Sequence, residues 1–152
     1  MENQKIEPFY VTGISERTTN ENGQALIDIP ALWNKFMSEG ILQQIPDKVE
    51  NSIYCLYTDY ESDHTKPYTT ILGCKVNGLK NIPEGMVGKT VAAGNYNKRT
   101  VTGNLLQGLV YNEWLKIWNA ALPRIYTTDF EVYGDKLLNP ESAEVAIFIA
   151  VK

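Results

Sequence analysis

The sequence predicts an α+β fold made of two β-α-β-β units related by a pseudo-twofold axis. The expected architecture is an antiparallel sheet with two helices on one face and a ligand cleft on the other. Three recurrences predict it. A strand, a helix and two strands follow one another twice along the 152 residues. Trp33 and Trp114 fall at matching places in the two helices. "IYCLYTDYE" and "TILGCKV" in the first half match "DFEVYGDK" and "AIFIAVK" in the second. Repeated order and spacing of this kind indicate an internal duplication. The chain reads as one domain, residues 1–152, with halves at about 1–80 and 81–152.

Each element has its own signal. "IEPFYVTGISERT" is rich in β-branched and aromatic residues and predicts the first strand. After the "NENGQ" loop, "DIPALWNKFMSEG" predicts a helix, with Asp28 as cap, Pro30 in the first turn and Gly40 at the end. Ile29, Trp33, Phe36 and Met37 then share one apolar face. "SIYCLYTDYE" and "YTTILGCKV" predict a strand pair joined by "SDHTKP". "NGLKNIPEGM" connects the halves, and "KTVAAGNYNKRTV" predicts the strand that restarts the pattern. "GNLLQGLVYNEWLKIWNAAL" predicts a longer helix, with Leu106, Leu109, Val110, Trp114, Ile117 and Trp118 on one side. "DFEVYGD", the "KLLNPES" loop and "AEVAIFIAVK" complete the chain.

Composition narrows the function. The net charge is −4 and no Lys/Arg-rich run exists, which argues against direct nucleic-acid binding. No apolar run reaches membrane-spanning length, and "MENQKIEPFY" lacks a signal-peptide core, so a cytoplasmic protein is expected. Cys55 and Cys74 show no metal or redox spacing and read as buried thiols. His64, the one histidine, sits in a polar turn, so neither a metal site nor a Ser/His/Asp triad is expected. Nor is a cofactor, since no Gly-rich phosphate loop is present. Nine Tyr, three Trp and four Phe favour an aromatic-lined ligand site.

One carboxylate is out of place. Glu131 interrupts an apolar strand between Phe130 and Val132. An unpaired buried charge is costly, so Glu131 either faces water or waits for a partner. Alternation puts Glu131 with Asp129 and Tyr133 on one face of its strand. Val145, Ile147, Ile149 and Val151 form an aliphatic face that should pack on the helices. The expected assembly sends Phe130 and Val132 into that core, leaving Glu131 and Tyr133 to look into a shallow aromatic space with Phe148.

The chain resembles the GyrI-like small-molecule-binding domain, the effector-binding domain of AraC-type and multidrug regulators. The resemblance spans nearly the whole chain. It rests on "DIPALWNKF", "IYCLYTDYE", "IPEG" with "VAAGNY", "EWLKIW" and above all the closing "FEVY" with "AEVAIFIAVK". Ala150 stands where many relatives have proline. The resemblance implies a cleft for lipophilic, often cationic, compounds, with Glu131 as buried countercharge. It implies wall positions at Tyr133, Tyr96, Phe148, Trp33 and Trp114, and at one of Tyr54 and Tyr57. Core packing is the alternative for both tryptophans. No helix-turn-helix precedes the domain, so a stand-alone binding protein is expected, monomeric or dimeric, with a protein partner, gyrase included, left open. The other class is a hydrolase of reactive electrophiles such as cyclopropanoid toxins. There Glu131 would act as general base, aided by Tyr133 or Tyr96.

Overall fold

The computed structural model describes residues 2–134 and 143–152. Its elements are β1 (Glu2–Ile6), β2 (Phe9–Thr18), α1 (Ala25–Ser38), α2 (Ile41–Gln44), β3 (Ile53–Thr58), β4 (Tyr68–Val76), β5 (Val87–Val91), β6 (Gly94–Gly103), α3 (Leu109–Trp118), β7 (Thr128–Tyr133) and β8 (Ala143–Val151). The "KLLNPES" loop lies outside the described residues, apart from its neighbours in β8.

All eight strands form one antiparallel sheet in the order β1-β6-β8-β7-β3-β4-β2-β5. Exchanging each first-half strand for its second-half counterpart gives the same order read from the other edge. The duplication legible in the sequence is therefore a pseudo-twofold in the sheet. The expected single strands at the start of each half are each two strands. The first breaks at Glu7 and Pro8, the second at Ala92 and Ala93. Proline supplies no N–H for a continuing ladder. Each short edge strand then pairs with the other half: β1 on β6 and β5 on β2.

The middle of the sheet is β3 against β7, where Cys55 faces Glu131 across the strands, with Tyr57 opposite Asp129 and Ile53 opposite Tyr133. The pair Cys55–Glu131 thus lies on the pseudo-twofold, and Tyr57 and Tyr133 are symmetry counterparts. α1 begins three residues before the expected cap, so Pro30 lies inside it rather than in its first turn. The Asp28 carboxylate accepts from Thr18 Oγ1 at 2.8 Å and Gln24 Nε2 at 3.0 Å instead of capping. The second helix is shorter than expected. A 3₁₀ turn at Leu105–Gln107 precedes it, and Gly108, with φ +73°, separates the two. Only glycine adopts that left-handed conformation freely.

Both sheet faces are packed. On the helix face, Leu32, Phe36, Trp114 and Ile117 meet Cys55, Leu72, Val145, Ile147, Ile149 and Val151. The aliphatic face of β8 is therefore the helix-facing one, as expected. On the other face, Phe9, Tyr54, Tyr96, Phe130 and Phe148 pack together. β2 and β7 are three strand spacings apart, roughly 14 Å in a flat sheet. Yet the Phe9 and Phe130 ring centroids are 5.2 Å apart. The sheet is curled, concave on this side, and its concavity is filled by its own aromatic rings.

The curl corrects the expected side of the cleft. β7 pairs with β8 so that Phe130 faces Phe148 and Glu131 faces Ile147. Glu131 and Tyr133 therefore lie on the helix face, and Phe130 joins the concave cluster rather than the aliphatic core. The open space lies between the sheet and the helices.

Candidate functional site

A cavity of about 740 Å³ opens between α1, α3 and the middle of the sheet. Pockets that take drug-sized molecules span roughly 300–1,000 Å³. All three tryptophans (Trp33, Trp114, Trp118) line it, with Tyr57, Tyr60, Tyr68, Tyr111 and Tyr133. Ile29, Pro30, Leu105 and Val110 add aliphatic wall. Leu26 and Tyr111 are exposed and stand at its rim.

Glu131 is in this cavity and is 1% exposed. Its Oε2 accepts from Trp114 Nε1 at 2.6 Å and from the Tyr57 hydroxyl at 2.8 Å. Its Oε1 accepts from the Tyr133 hydroxyl at 2.6 Å. Burial pushes its pKa above the ordinary carboxylate range, while the three hydrogen bonds oppose that shift. No lysine or arginine among the described residues forms an ion pair with it. A desolvated carboxylate is therefore held by dipoles rather than by an opposite charge.

The aromatic walls repeat the pseudo-symmetry. Trp33 meets Tyr133 edge-on at 4.8 Å and 75°, and Trp114 meets Tyr57 edge-on at 5.3 Å and 79°. The duplication thus builds two like walls around its axis. Glu131, where the other half has Cys55, breaks the symmetry with one charge. Trp33 and Trp114 both sit on the apolar helix stripe and both border the cavity, so packing and lining are not exclusive.

Three of the expected wall residues are elsewhere. Tyr54 and Tyr57 are three apart, so strand alternation sends them to opposite faces. Tyr57 reaches the cavity. Tyr54 lies in the concave cluster, its hydroxyl donating to Glu50 Oε1 at 2.5 Å. Tyr96 is 2% exposed in the same cluster and donates to the Ala92 carbonyl at 2.9 Å. Phe148 stacks on Phe130 with centroids 4.6 Å apart, also on the concave side. Replacing Phe148 with leucine is expected to lower thermal stability, by about 1–3 kcal/mol. The tryptophan emission maximum should stay put, because the three indoles occupy the other face. A shifted emission would place Phe148 against the cavity after all.

Several cavity residues carried no sequence signal. Tyr60 and Tyr68 follow and precede a turn, and only the closure of β3 on β4 brings their rings to 5.7 Å. His64 is not a solvated turn residue. Its ring stacks on Trp118 at 5.6 Å and 8°, and burial, then Arg124, lowers its pKa. Arg124 lies in the "PRIYTT" breaker, pinned by a β-bridge to Val151. A close pairing of such distant segments has no local pattern to announce it.

The chain matches the family model described as "Cass2: Integron-associated effector binding protein" over residues 4–151. It is 30% identical over 147 residues to YobU of Bacillus subtilis (strain 168), whose name places it with transcriptional regulators; the match covers 92% of this chain and 90% of YobU. It superposes with a TM-score of 0.77 on the integron cassette protein VCH_CASS2 from the mobile metagenome of Vibrio cholerae, at 33% identity, covering 99% of this chain and 95% of that one. SAV2435, solved bound to tetraphenylphosphonium, shares the fold with a TM-score of 0.76 at 18% identity, covering 99% of this chain and 93% of that one. The GyrI-like resemblance of the sequence and the curled eight-stranded sheet with its helix-side cavity meet in the same conclusion: this chain belongs to the integron-associated effector binding protein family.

Proposed function

We propose that this protein captures lipophilic aromatic cations in the helix-side cavity, with Glu131 as their countercharge. Trp33, Trp114, Tyr57 and Tyr133 serve as the walls in this reading. The observation that carries it is a fully buried carboxylate in an aromatic cavity, held by three dipoles and ion-paired with no lysine or arginine among the described residues. Such a charge is costly alone and regains the cost when an opposite charge arrives. Each facing ring adds cation–π attraction of about 0.5–2 kcal/mol. That SAV2435 shares the fold and was solved with a phosphonium cation supports the same ligand class. Both Glu131 oxygens are already engaged by donors, which favours holding charge over abstracting a proton.

The test is a titration with tetraphenylphosphonium followed by tryptophan emission, since all three indoles line the cavity. A saturable change is expected, and ligand recovered afterwards should have its original mass. No saturable change would overturn the reading. The pH dependence has a fixed sign. The phosphonium does not titrate, and only ionised Glu131 attracts it. Affinity should therefore be full well above the raised pKa of Glu131 and fall as pH drops through it. Near that pKa, binding should release protons, measurable by calorimetry in two buffers of different ionisation enthalpy.

A further inference from the structure

Among the described residues, three buried side-chain atoms have no hydrogen-bond partner: Arg124 Nε, Arg124 Nη1 and His64 Nδ1. Both residues line the cavity. Native proteins leave few buried polar atoms unpaired. His64 and Arg124 both pack against the Tyr126 ring, at 6.5 Å and 4.3 Å, so the three unpaired atoms gather in one region of the lining.

Arg124 is built in place. Its side chain is 5% exposed, and its Nη2 donates to Asp129 Oδ2 at 2.7 Å. Asp129 is itself fully buried, accepting from the Tyr60 hydroxyl at 2.6 Å and the Ala150 amide at 2.8 Å. The Arg124 backbone is clamped by the Ile125 amide on the Ala150 carbonyl at 3.2 Å and the Lys152 amide on the Pro123 carbonyl at 3.0 Å. The guanidinium lies 4.3 Å over the Tyr126 ring and 5.9 Å from the Trp114 ring. Its two unpaired nitrogens are thus rigid donors in an apolar setting, where an unmade hydrogen bond is costly.

The charges decide what those donors take. Asp129 already neutralises Arg124, which leaves Glu131 as the unpaired carboxylate among the described residues that line the cavity. A ligand carboxylate would put a second negative charge beside Glu131. A neutral oxygen would satisfy Nε or Nη1 without that penalty. One side chain lies against both polar groups. The Trp114 indole donates its N–H to Glu131 and turns its ring toward Arg124.

We propose that Arg124, with His64 beside it, forms a second polar subsite that takes a neutral oxygen acceptor of the ligand. The preferred ligand is then an aromatic cation bearing a carbonyl, amide, ester or ether oxygen about one ring away from its positive centre. This rests on the cation reading above and adds a specificity to it.

The test uses two cations of nearly equal shape, (4-acetylphenyl)triphenylphosphonium and (4-isopropenylphenyl)triphenylphosphonium, which differ by a carbonyl oxygen against a methylene. Their affinities are measured on the wild type, on Arg124→Lys, which keeps the ion pair, and on the double variant Arg124→Met with Asp129→Asn, which removes both charges together. The wild type should bind the ketone about tenfold more tightly. In either variant the ratio of ketone to alkene affinity should fall to near unity. Equal binding of the two cations to the wild type would overturn the subsite and leave the cation reading standing. A preference that persists in both variants would overturn the assignment to Arg124. Failure of both cations to bind the wild type would overturn the cation reading and the subsite with it. The wild-type comparison is informative even where a variant folds poorly.

Discussion

Glu131→Gln should lose cation binding by at least about tenfold, roughly 1.4 kcal/mol, while the protein stays as stable at neutral pH or becomes more so. The two halves of this expectation have one cause. Glutamine keeps the size and most of the hydrogen bonds of the site. Its carbonyl oxygen can accept from Trp114 Nε1 and Tyr57, and its amide can donate to the Tyr133 hydroxyl oxygen. What it removes is the desolvated charge. Burial raises the folded-state pKa of Glu131 above its unfolded value. A group shifted in that direction favours the folded state most below its unfolded pKa, and that advantage is lost as pH rises through the folded pKa. At neutral pH wild-type Glu131 therefore carries a stability cost that the glutamine lacks. Thermal melts of the two proteins should show the variant level or ahead at pH 7. Its lead should shrink as the medium is acidified past the raised pKa of Glu131. Phosphonium titration of the same samples completes the test. Equal affinity in both proteins would remove Glu131 from the site. A variant that melts far below the wild type would mean that the carboxylate holds the fold rather than a ligand.

Gly73→Ala should be among the most damaging single-methyl changes in the molecule. Gly13 and Gly73 face each other across β2 and β4. A Cβ on Gly73 would stand 2.0 Å from the Thr12 carbonyl oxygen and 2.7 Å from the Gly13 Cα. A Cβ on Gly13 would stand 2.1 Å from the Leu72 carbonyl oxygen. Both obstacles are backbone of a paired strand, so neither can swing aside as a side chain would. By strand alternation the two missing side chains belong to the concave face, beside Val11 and Ile71. A methyl group here should cost about 3 kcal/mol or more and lower the melting temperature by roughly 6–12 °C. Gly78→Ala is the control, because a Cβ there meets nothing within 4 Å. Equal melting of the Gly73 and Gly78 variants would show that the strands can separate without loss.

The site was half legible. Glu131 stood out because a carboxylate amid Phe130 and Val132 breaks a local rule; alternation put Tyr133 on its face, Trp33 and Trp114 hold matching places in the repeat, and the resemblance implied all three as walls. Tyr60, Tyr68, His64 and Arg124 were not. Each lies in or beside a turn, where side-chain direction follows no period. They reach the cavity through long-range pairing: Arg124 on Val151, and Asn20 Nδ2 on the His64 carbonyl at 2.8 Å.

The sequence by itself determined the duplicated strand-helix-strand-strand order, the two faces of every strand, and the presence of one anomalous charge. These follow from local periodicity, which is written in neighbouring residues. The tertiary structure decided which faces meet. Alternation says that Glu131 opposes Phe130 and that Ile147 opposes Phe148, but a shift of one residue between β7 and β8 would exchange every partnership. The observed register sets Glu131 beside Ile147 and under the helices, and sends Phe148, Tyr96 and Tyr54 to the concave side. The reason is the curl. A concave sheet can fill its hollow with its own rings, so the space left over for a ligand opens on the side where two helices arch above the pseudo-twofold axis.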